Sequence, residues 1–179
     1  VLLKAYLAEF TRKDDVCLVI KDFGTSSFYR GQGLGDQIAK LAANPQVPEI
    51  VYLIEDLAED QIPALYRSCH CLVHPYRGEG YGLPIAEAMA CGLPVIVTGF
   101  GACLDFCNDD NAYLVDHNVV VAHEKRVGKI DLVGYPYWAE PDVEHLRFLM
   151  RHVYEHYTTA KAKGEKASAM LRTHHTWQR

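Results

Sequence analysis

The chain has 179 residues, 49% of them hydrophobic and 23% charged, with a formal net charge of −5. This is enough apolar material for one complete core, and a diffuse acidic balance without clustered Lys and Arg argues against a nucleic-acid-binding face. No apolar run approaches the ~20 residues of a membrane-spanning helix, and acid and base come too early in Val1–Phe10 for a signal peptide; with six cysteines mostly in apolar segments, the chain is expected to keep reduced thiols in a cytoplasmic setting.

The first segment reads as an amphipathic helix with Leu2, Leu3, Tyr6, Leu7 and Phe10 on one face, giving way at Lys13-Asp14-Asp15. A chain that opens in mid-helix, without Met, is expected to start inside a larger protein. Residues 16–20 form an apolar strand ending in Lys21-Asp22-Phe23-Gly24, followed by a polar, glycine-rich loop over 25–35 and a helix over 36–43. Gly31-Gln-Gly-Leu-Gly invites a dinucleotide reading, but it trails the strand by about ten residues, too far for a tight strand–turn–helix fingerprint.

The alternation continues with a strand at 50–54, a helix at 59–68, a strand at 69–74, a helix from Pro84 to Cys91 closed by Gly92, and strands at 93–98 and 112–115. Short β-branched strands alternating with helices predict an α/β fold, a Rossmann-like doubly wound parallel sheet with helices on both faces, in a single domain over residues 1–179. Residues 116–140, with Val119, Val120 and Val121, two glycines and Tyr135-Pro-Tyr-Trp, break the rhythm as an insertion or extended loop. A helix over 142–162, with Val143, Leu146, Leu149, Met150 and Val153 on one stripe, and another over 165–172 close the domain; Met150 and Tyr154 read as packing residues.

Two apolar strands flank His-Pro-Tyr-Arg-Gly-Glu-Gly-Tyr-Gly-Leu-Pro-Ile-Ala-Glu-Ala-Met-Ala-Cys-Gly, residues 74–92. Gly78, Gly80 and Gly82 alternate with Glu79 and Tyr81, so the backbone is free to take positive φ and a ligand can approach the main-chain N–H groups. Leu83 and Pro84 open a helix whose unsatisfied amides and positive dipole end face the same space, which makes an anion site with phosphate as the expected guest. Glu79 in the turn and Glu87 about one turn into the helix cannot form an adjacent pair, so they are expected to touch different parts of one ligand. Taken alone, the same features also fit an ordinary α/β turn with a glutamate complementing the dipole.

Lys21 ends the first strand on the edge where such folds bind ligands, and either reaches a diphosphate oxygen or pairs with Asp22 or Asp56. Arg77 beside the turn is a further candidate cation. Cys103 and Cys107 lack a paired C-x2-C unit. His152 and His156, one helical turn apart, read as a solvated helix face, as do His174 and His175, so no metal site is expected.

Glu79 and Glu87, with seven residues between them in Glu-Gly-Tyr-Gly-Leu-Pro-Ile-Ala-Glu-Ala-Met-Ala-Cys-Gly-Leu-Pro-Val-Ile, resemble the E-x7-E signature of retaining GT-B glycosyltransferases of the group 1 or family 4 type. The resemblance implies the C-terminal, donor-binding half of a two-domain enzyme, with the N-terminal acceptor domain outside this chain. It implies Glu79 as the catalytic residue against the donor sugar, and Gly80, Tyr81, Gly82 and Leu83 as backbone donors to sugar hydroxyls and phosphate. Pro84 would open the helix beside them, Glu87 would hold the ribose hydroxyls, and main chain near Leu53 and Ile54 would hold the base.

The implied reaction is metal-independent and uses no cofactor. It moves a sugar from a nucleotide-diphosphate sugar to a glycan, lipid or protein acceptor, with room for peripheral membrane association of the whole enzyme. Three departures stand out: the Arg and Lys loop expected before residue 1, Tyr76 in place of the family's frequent Ser, and Asp105 in Gly101-Ala-Cys-Leu-Asp where a Glu following Gly-Gly is typical. The alternative functions are a non-catalytic nucleotide or nucleotide-sugar binding module and a Rossmann-like interaction domain with no small ligand.

Overall fold

The computed structural model describes residues 1–22, 34–128 and 130–174. In chain order these form α1 (Leu2–Glu9), β1 (Cys17–Lys21), α2 (Gly35–Ala42), β2 (Glu49–Leu53), α3 (Gln61–Ser68), β3 (Leu72–His74), α4 (Leu83–Ala90) and β4 (Val95–Thr98). A 3-10 turn (Ala102–Asp105) leads to β5 (Tyr113–Val115), β6 (His117–Val121), β7 (Arg126–Val127), β8 (Ile130–Asp131), β9 (Tyr137–Pro141), α5 (Val143–Glu155) and α6 (Tyr157–His174). The glycines at 31 and 33 that invite a dinucleotide reading lie outside the described residues. No described helix is long and apolar enough to cross a membrane.

The α/β, Rossmann-like architecture is the expected one, and its parallel strands fall into two ladders. In one, β4 lies between β3 and β5, with Leu72 opposite Val95 and Ile96 opposite Tyr113. In the other, β1 runs beside β2 from Cys17 and Glu49 to Lys21 and Leu53. Among the described residues the ladders are joined by side chains and not by strand hydrogen bonds: Leu18, Ile20 and Ile50 share one apolar cluster with Val73, Ile96 and Val115.

β4 is buried along its whole length. Side chains alternate across a strand, so Ile96 enters the cluster beneath α1 and α5, while Val95 and Val97 enter a second cluster with Ile85 and Met89 of α4 and Ala167 and Leu171 of α6. Coverage on both faces is what a parallel strand requires, and it explains an apolar run without polar alternation. The parallel β3–α4–β4 unit fixes the carboxyl edge from which the glycine turn emerges.

Helix α1 is tied to α5 by Arg151, whose Nε donates to Glu9 Oε1 at 2.9 Å and whose Nη1 donates to Asp14 Oδ1 at 2.8 Å. The Arg151 hydrogen bond, with two more from Thr11, lowers the Asp14 carboxyl from 3.8 to about 2. Met150 is buried as expected, whereas Tyr154 lies at the rim, edge-on to Phe10.

Two regions depart from the sequence reading. The final helical break falls at His156, where the backbone leaves helical geometry, and not between residues 162 and 165. Gly164 is inside α6 because the helix crosses the 92–94 turn so closely that a Cβ there would stand 2.4 Å from the Gly92 carbonyl oxygen and 2.7 Å from Leu93 C. The second region is 116–140, expected as an insertion or extended loop: β6 and β9 form an antiparallel ribbon from His117 opposite Pro141 to Val121 opposite Tyr137, and β7 and β8 pair at its far end.

Gly164→Ala is expected to lower stability by about 1–3 kcal/mol through overpacking against backbone, despite a helix-propensity gain of about 1 kcal/mol, as urea unfolding would measure. For Asp14 the folded-state value lies below the unfolded 3.8, so its contribution is complete above that pH and is lost as pH falls through about 2. Asp14→Asn is expected to remove this part of the acid slope in a pH series of unfolding midpoints.

Candidate functional site

The ends of β3 and β4 are locked together by Tyr76 and Thr98. The Tyr76 hydroxyl meets the Thr98 carbonyl at 3.0 Å and the Phe100 carbonyl at 2.5 Å, while Thr98 Oγ1 donates to the Tyr76 carbonyl at 2.6 Å. The same hydroxyl contacts the buried Cys103 Sγ. Burial, then the bond to Cys103, pushes the Tyr76 phenol far up, so it stays protonated. Cys107 Sγ sits 3.6 Å from Met89 Sδ, so both thiols of the 3-10 turn region are engaged in packing behind the site. All six cysteines are free.

Between these strand ends the chain turns through Gly78–Gly82. Gly82 has φ +89° and caps α4; a Cβ there would come within 3.0 Å of Ile85 Cδ1 and 3.5 Å of Glu79 Cγ. A side chain there is strained by the left-handed backbone and would push the Ile85 methyl aside by a few tenths of an ångström. Pro84 occupies the first helical turn as expected.

The helix start offers fewer open amides than expected. Pro84 has no N–H, and the amides of Ile85 and Ala86 both donate to the Gly82 carbonyl, at 2.9 and 3.0 Å. Gly80 N donates to Glu79 Oε1 at 2.9 Å. The amides of Tyr81, Gly82 and Leu83 meet no hydrogen-bond acceptor among the described residues. They are the turn's available donors at the positive end of α4. Tyr81 and Leu83 are themselves exposed, Tyr81 with its ring against Phe106 at 5.2 Å.

Glu79 is half-buried, with Oε2 3.6 Å from His74 Nε2 at the end of β3. Glu87 lies on α4, where its Oε2 accepts from the Tyr66 hydroxyl of α3 at 3.2 Å. Burial and then the Glu87 charge raise the Tyr66 phenol well above its ordinary range, which keeps it a donor. The two carboxylates thus have different supports, His74 and the Gly80 amide for one and Tyr66 for the other.

Lys21 Nζ donates to the Asp22 carbonyl oxygen at 2.7 Å, while the Asp22 carboxylate accepts from Tyr52 at 2.7 Å. Arg77 faces away from the role of a lone phosphate cation, because Glu140 takes its guanidinium in a fork, Nε to Oε2 at 2.6 Å and Nη2 to Oε1 at 2.9 Å. At the end of β2 the Leu53 carbonyl accepts from Asp22 N at 2.8 Å, and Ile54 beyond it is exposed. Asp105 ends the 3-10 turn and is exposed. A cavity of about 330 Å³, lined by Val1, Leu2, Val73, His74, Pro75, Tyr76 and Arg77, opens beside the β3 end.

Sequence reasoning missed Tyr66, His74 and Glu140. His74 carried a weak signal, as the polar residue closing an apolar strand; Tyr66 and Glu140 reach the turn from distant segments and carried none.

A Rossmann-like domain with a glycine turn feeding a helix on its carboxyl edge is the class defined here, and solved structures share its fold. Anabaena HepE in complex with UDP superposes with a TM-score of 0.60 at 20% identity, over 96% of this chain and 39% of that one. The C-terminal domain of a glycosyl transferase group 1 family protein, LpcC from Francisella tularensis, does so with a TM-score of 0.55 at 19% identity, over 81% and 62%.

In sequence, residues 1–130 match the family Glycosyl transferases group 1, and the chain belongs to that family. The D-inositol 3-phosphate glycosyltransferase of Salinispora tropica is 31% identical over 94 residues, 52% of this chain and 20% of that protein. The O-antigen chain mannosyltransferase B of Escherichia coli is 47% identical over 38 residues, 21% of this chain and 10% of that one. The chain spans a fifth or less of the length of these two curated relatives.

Tyr76→Phe keeps the ring but leaves the carbonyls of Thr98 and Phe100 without the hydroxyl. It is expected to cost about 1–2 kcal/mol of unfolding free energy in denaturant titrations.

Proposed function

We propose that this chain is the donor-binding, C-terminal half of a retaining glycosyltransferase that takes a nucleotide-diphosphate sugar. The observation that carries the reading is the placement of Glu79 and Glu87 on either side of the Gly82 cap, each carboxylate held by separate partners at the carboxyl edge of β3 and β4. Family membership supports it, and so do the UDP and UDP-glucose complexes of the structural neighbour HepE. The whole enzyme, in this reading, acts in the cytoplasm and receives its glycan, lipid or protein acceptor from a domain outside this chain.

The chemistry asks for a diphosphate leaving group to be stabilised while the anomeric bond breaks. The amides of Tyr81, Gly82 and Leu83 and the α4 dipole supply part of that charge stabilisation, so the proposed reaction needs no metal ion. Lys21 is assigned to the diphosphate, by exchanging its bond to the Asp22 carbonyl for a phosphate oxygen. Glu87, oriented by Tyr66, is assigned to the ribose hydroxyls, and Glu79 to the sugar. On the front-face path that accompanies retention, the leaving phosphate takes the acceptor proton, and Glu79 orients the sugar without forming a bond to it.

Uridine, guanosine and adenosine diphosphates and their sugars are to be tested by thermal shift on this chain. A matched nucleotide at a hundred times its dissociation constant is expected to add about 2.7 kcal/mol of stability, with the shift lost in Glu87→Ala. In the complete protein, Glu79→Gln is expected to lower kcat about 100-fold with nucleoside diphosphate affinity unchanged. A Glu79→Gln enzyme of normal turnover would favour the non-catalytic binding module instead.

A further inference from the structure

We infer that Glu140, on the β6–β9 ribbon, is a positioning residue for the sugar-contacting turn and acts through Arg77; the inference rests on the assignment of Glu79 to the donor sugar. Arg77 stands two residues before Glu79 and is gripped twice. Its guanidinium is held in a fork by Glu140, at 2.6 and 2.9 Å, and its carbonyl accepts from Ala139 N at 2.9 Å. Planar two-point pairing of this kind fixes direction as well as distance. Glu140 is itself aligned by Trp138 Nε1, at 3.2 Å from Oε2, and by its place in the ladder opposite Asn118. The guanidinium hydrogen bonds hold the Glu140 carboxyl below the ordinary carboxylate range, so the pair stays charged at neutral pH.

The same ribbon reaches the other flank of the turn. Phe100, just past β4, packs on His117 at 5.2 Å and edge-on to Tyr137 at 6.5 Å. The next residue, Gly101, has φ +81°, and a Cβ placed there would lie 4.0 Å from the Glu79 carbonyl oxygen. The ribbon therefore braces the chain before Glu79 and the chain that backs it. Glu87 takes its support from Tyr66 of α3, which makes none of the ribbon contacts given above. This division separates two effects: loosening the ribbon disturbs the sugar end of the site and spares the nucleoside end.

The test compares Glu140→Ala, Glu140→Gln and the charge exchange Arg77→Glu with Glu140→Arg. UDP and UDP-glucose, with GDP and GDP-mannose in parallel, are titrated calorimetrically, and amide exchange is followed over residues 78–82. In Glu140→Ala the affinity advantage of the sugar nucleotide over its diphosphate is expected to fall about tenfold or more, with the diphosphate, which also has the Leu83 amide, Lys21 and Glu87, weakened less. Exchange is expected to speed up over 78–82 and stay unchanged inside α4. Glu140→Gln, which keeps one acceptor, is expected to fall between, and the charge exchange to recover the advantage. Equal weakening of both ligands, or unchanged exchange over 78–82, overturns the inference. A parent that binds none of the four probes counts against the donor-binding reading, and the exchange result then decides the positioning role by itself.

Discussion

The reciprocal bond between Tyr76 and Thr98 is the constraint on which the edge of the molecule depends. Each residue satisfies a main-chain carbonyl of the other's segment, and the Tyr76 hydroxyl extends to Phe100 as well. The exits of β3 and β4 are thereby held at one separation in a buried, low-dielectric setting, where unmade hydrogen bonds are costly. The glycine turn springs from one exit and Phe100–Gly101 from the other. A serine at position 76 could not span to Thr98 and Phe100 in this arrangement.

From that fixed edge the site is assembled out of remote supports. The approach to the turn is pinned by β9 and the helix behind it by α3, while the turn itself contributes only glycines and two side chains. Both glutamates come from one short segment, yet Glu79 is held locally, by His74 and the Gly80 amide, and Glu87 from a distance, by Tyr66 of α3. Partial removal of water from around Tyr66 matters here: a half-buried phenol beside a carboxylate remains a donor to Glu87.

The strand–turn–helix unit was legible because its signals are local. Apolar β-branched runs, a proline at the helix start and a glycine at its end put the helix at 84–91, one residue from the observed Leu83–Ala90. The ribbon was not legible, because its in-and-out alternation is masked: Val119 and Val121 are apolar and still 55% and 54% exposed, and β7 and β8 are two residues each. Gly164 misled for a physical reason, since glycine serves close helix approach as well as helix termination. Arg77 was noticed as a charge beside the turn, but its partner lies 63 residues away, and no spacing rule links them. The two-ladder arrangement depends on hydrogen bonds between strands, which composition does not encode.

The parallel registers carry a kinetic consequence. Cys17 must find Glu49 and Leu72 must find Val95, each across a loop that contains a helix, and Ile96 must find Tyr113 across the 3-10 turn, before any ladder bond rewards the chain. The β6–β9 and β7–β8 pairings are antiparallel, and the β7–β8 pair closes the nearest loop of the described ladders. Non-local parallel pairing of the core strands is thus the costlier part of closing this fold. Because the glycine turn lies in the connection between β3 and β4, its geometry is complete only where that parallel pair has closed.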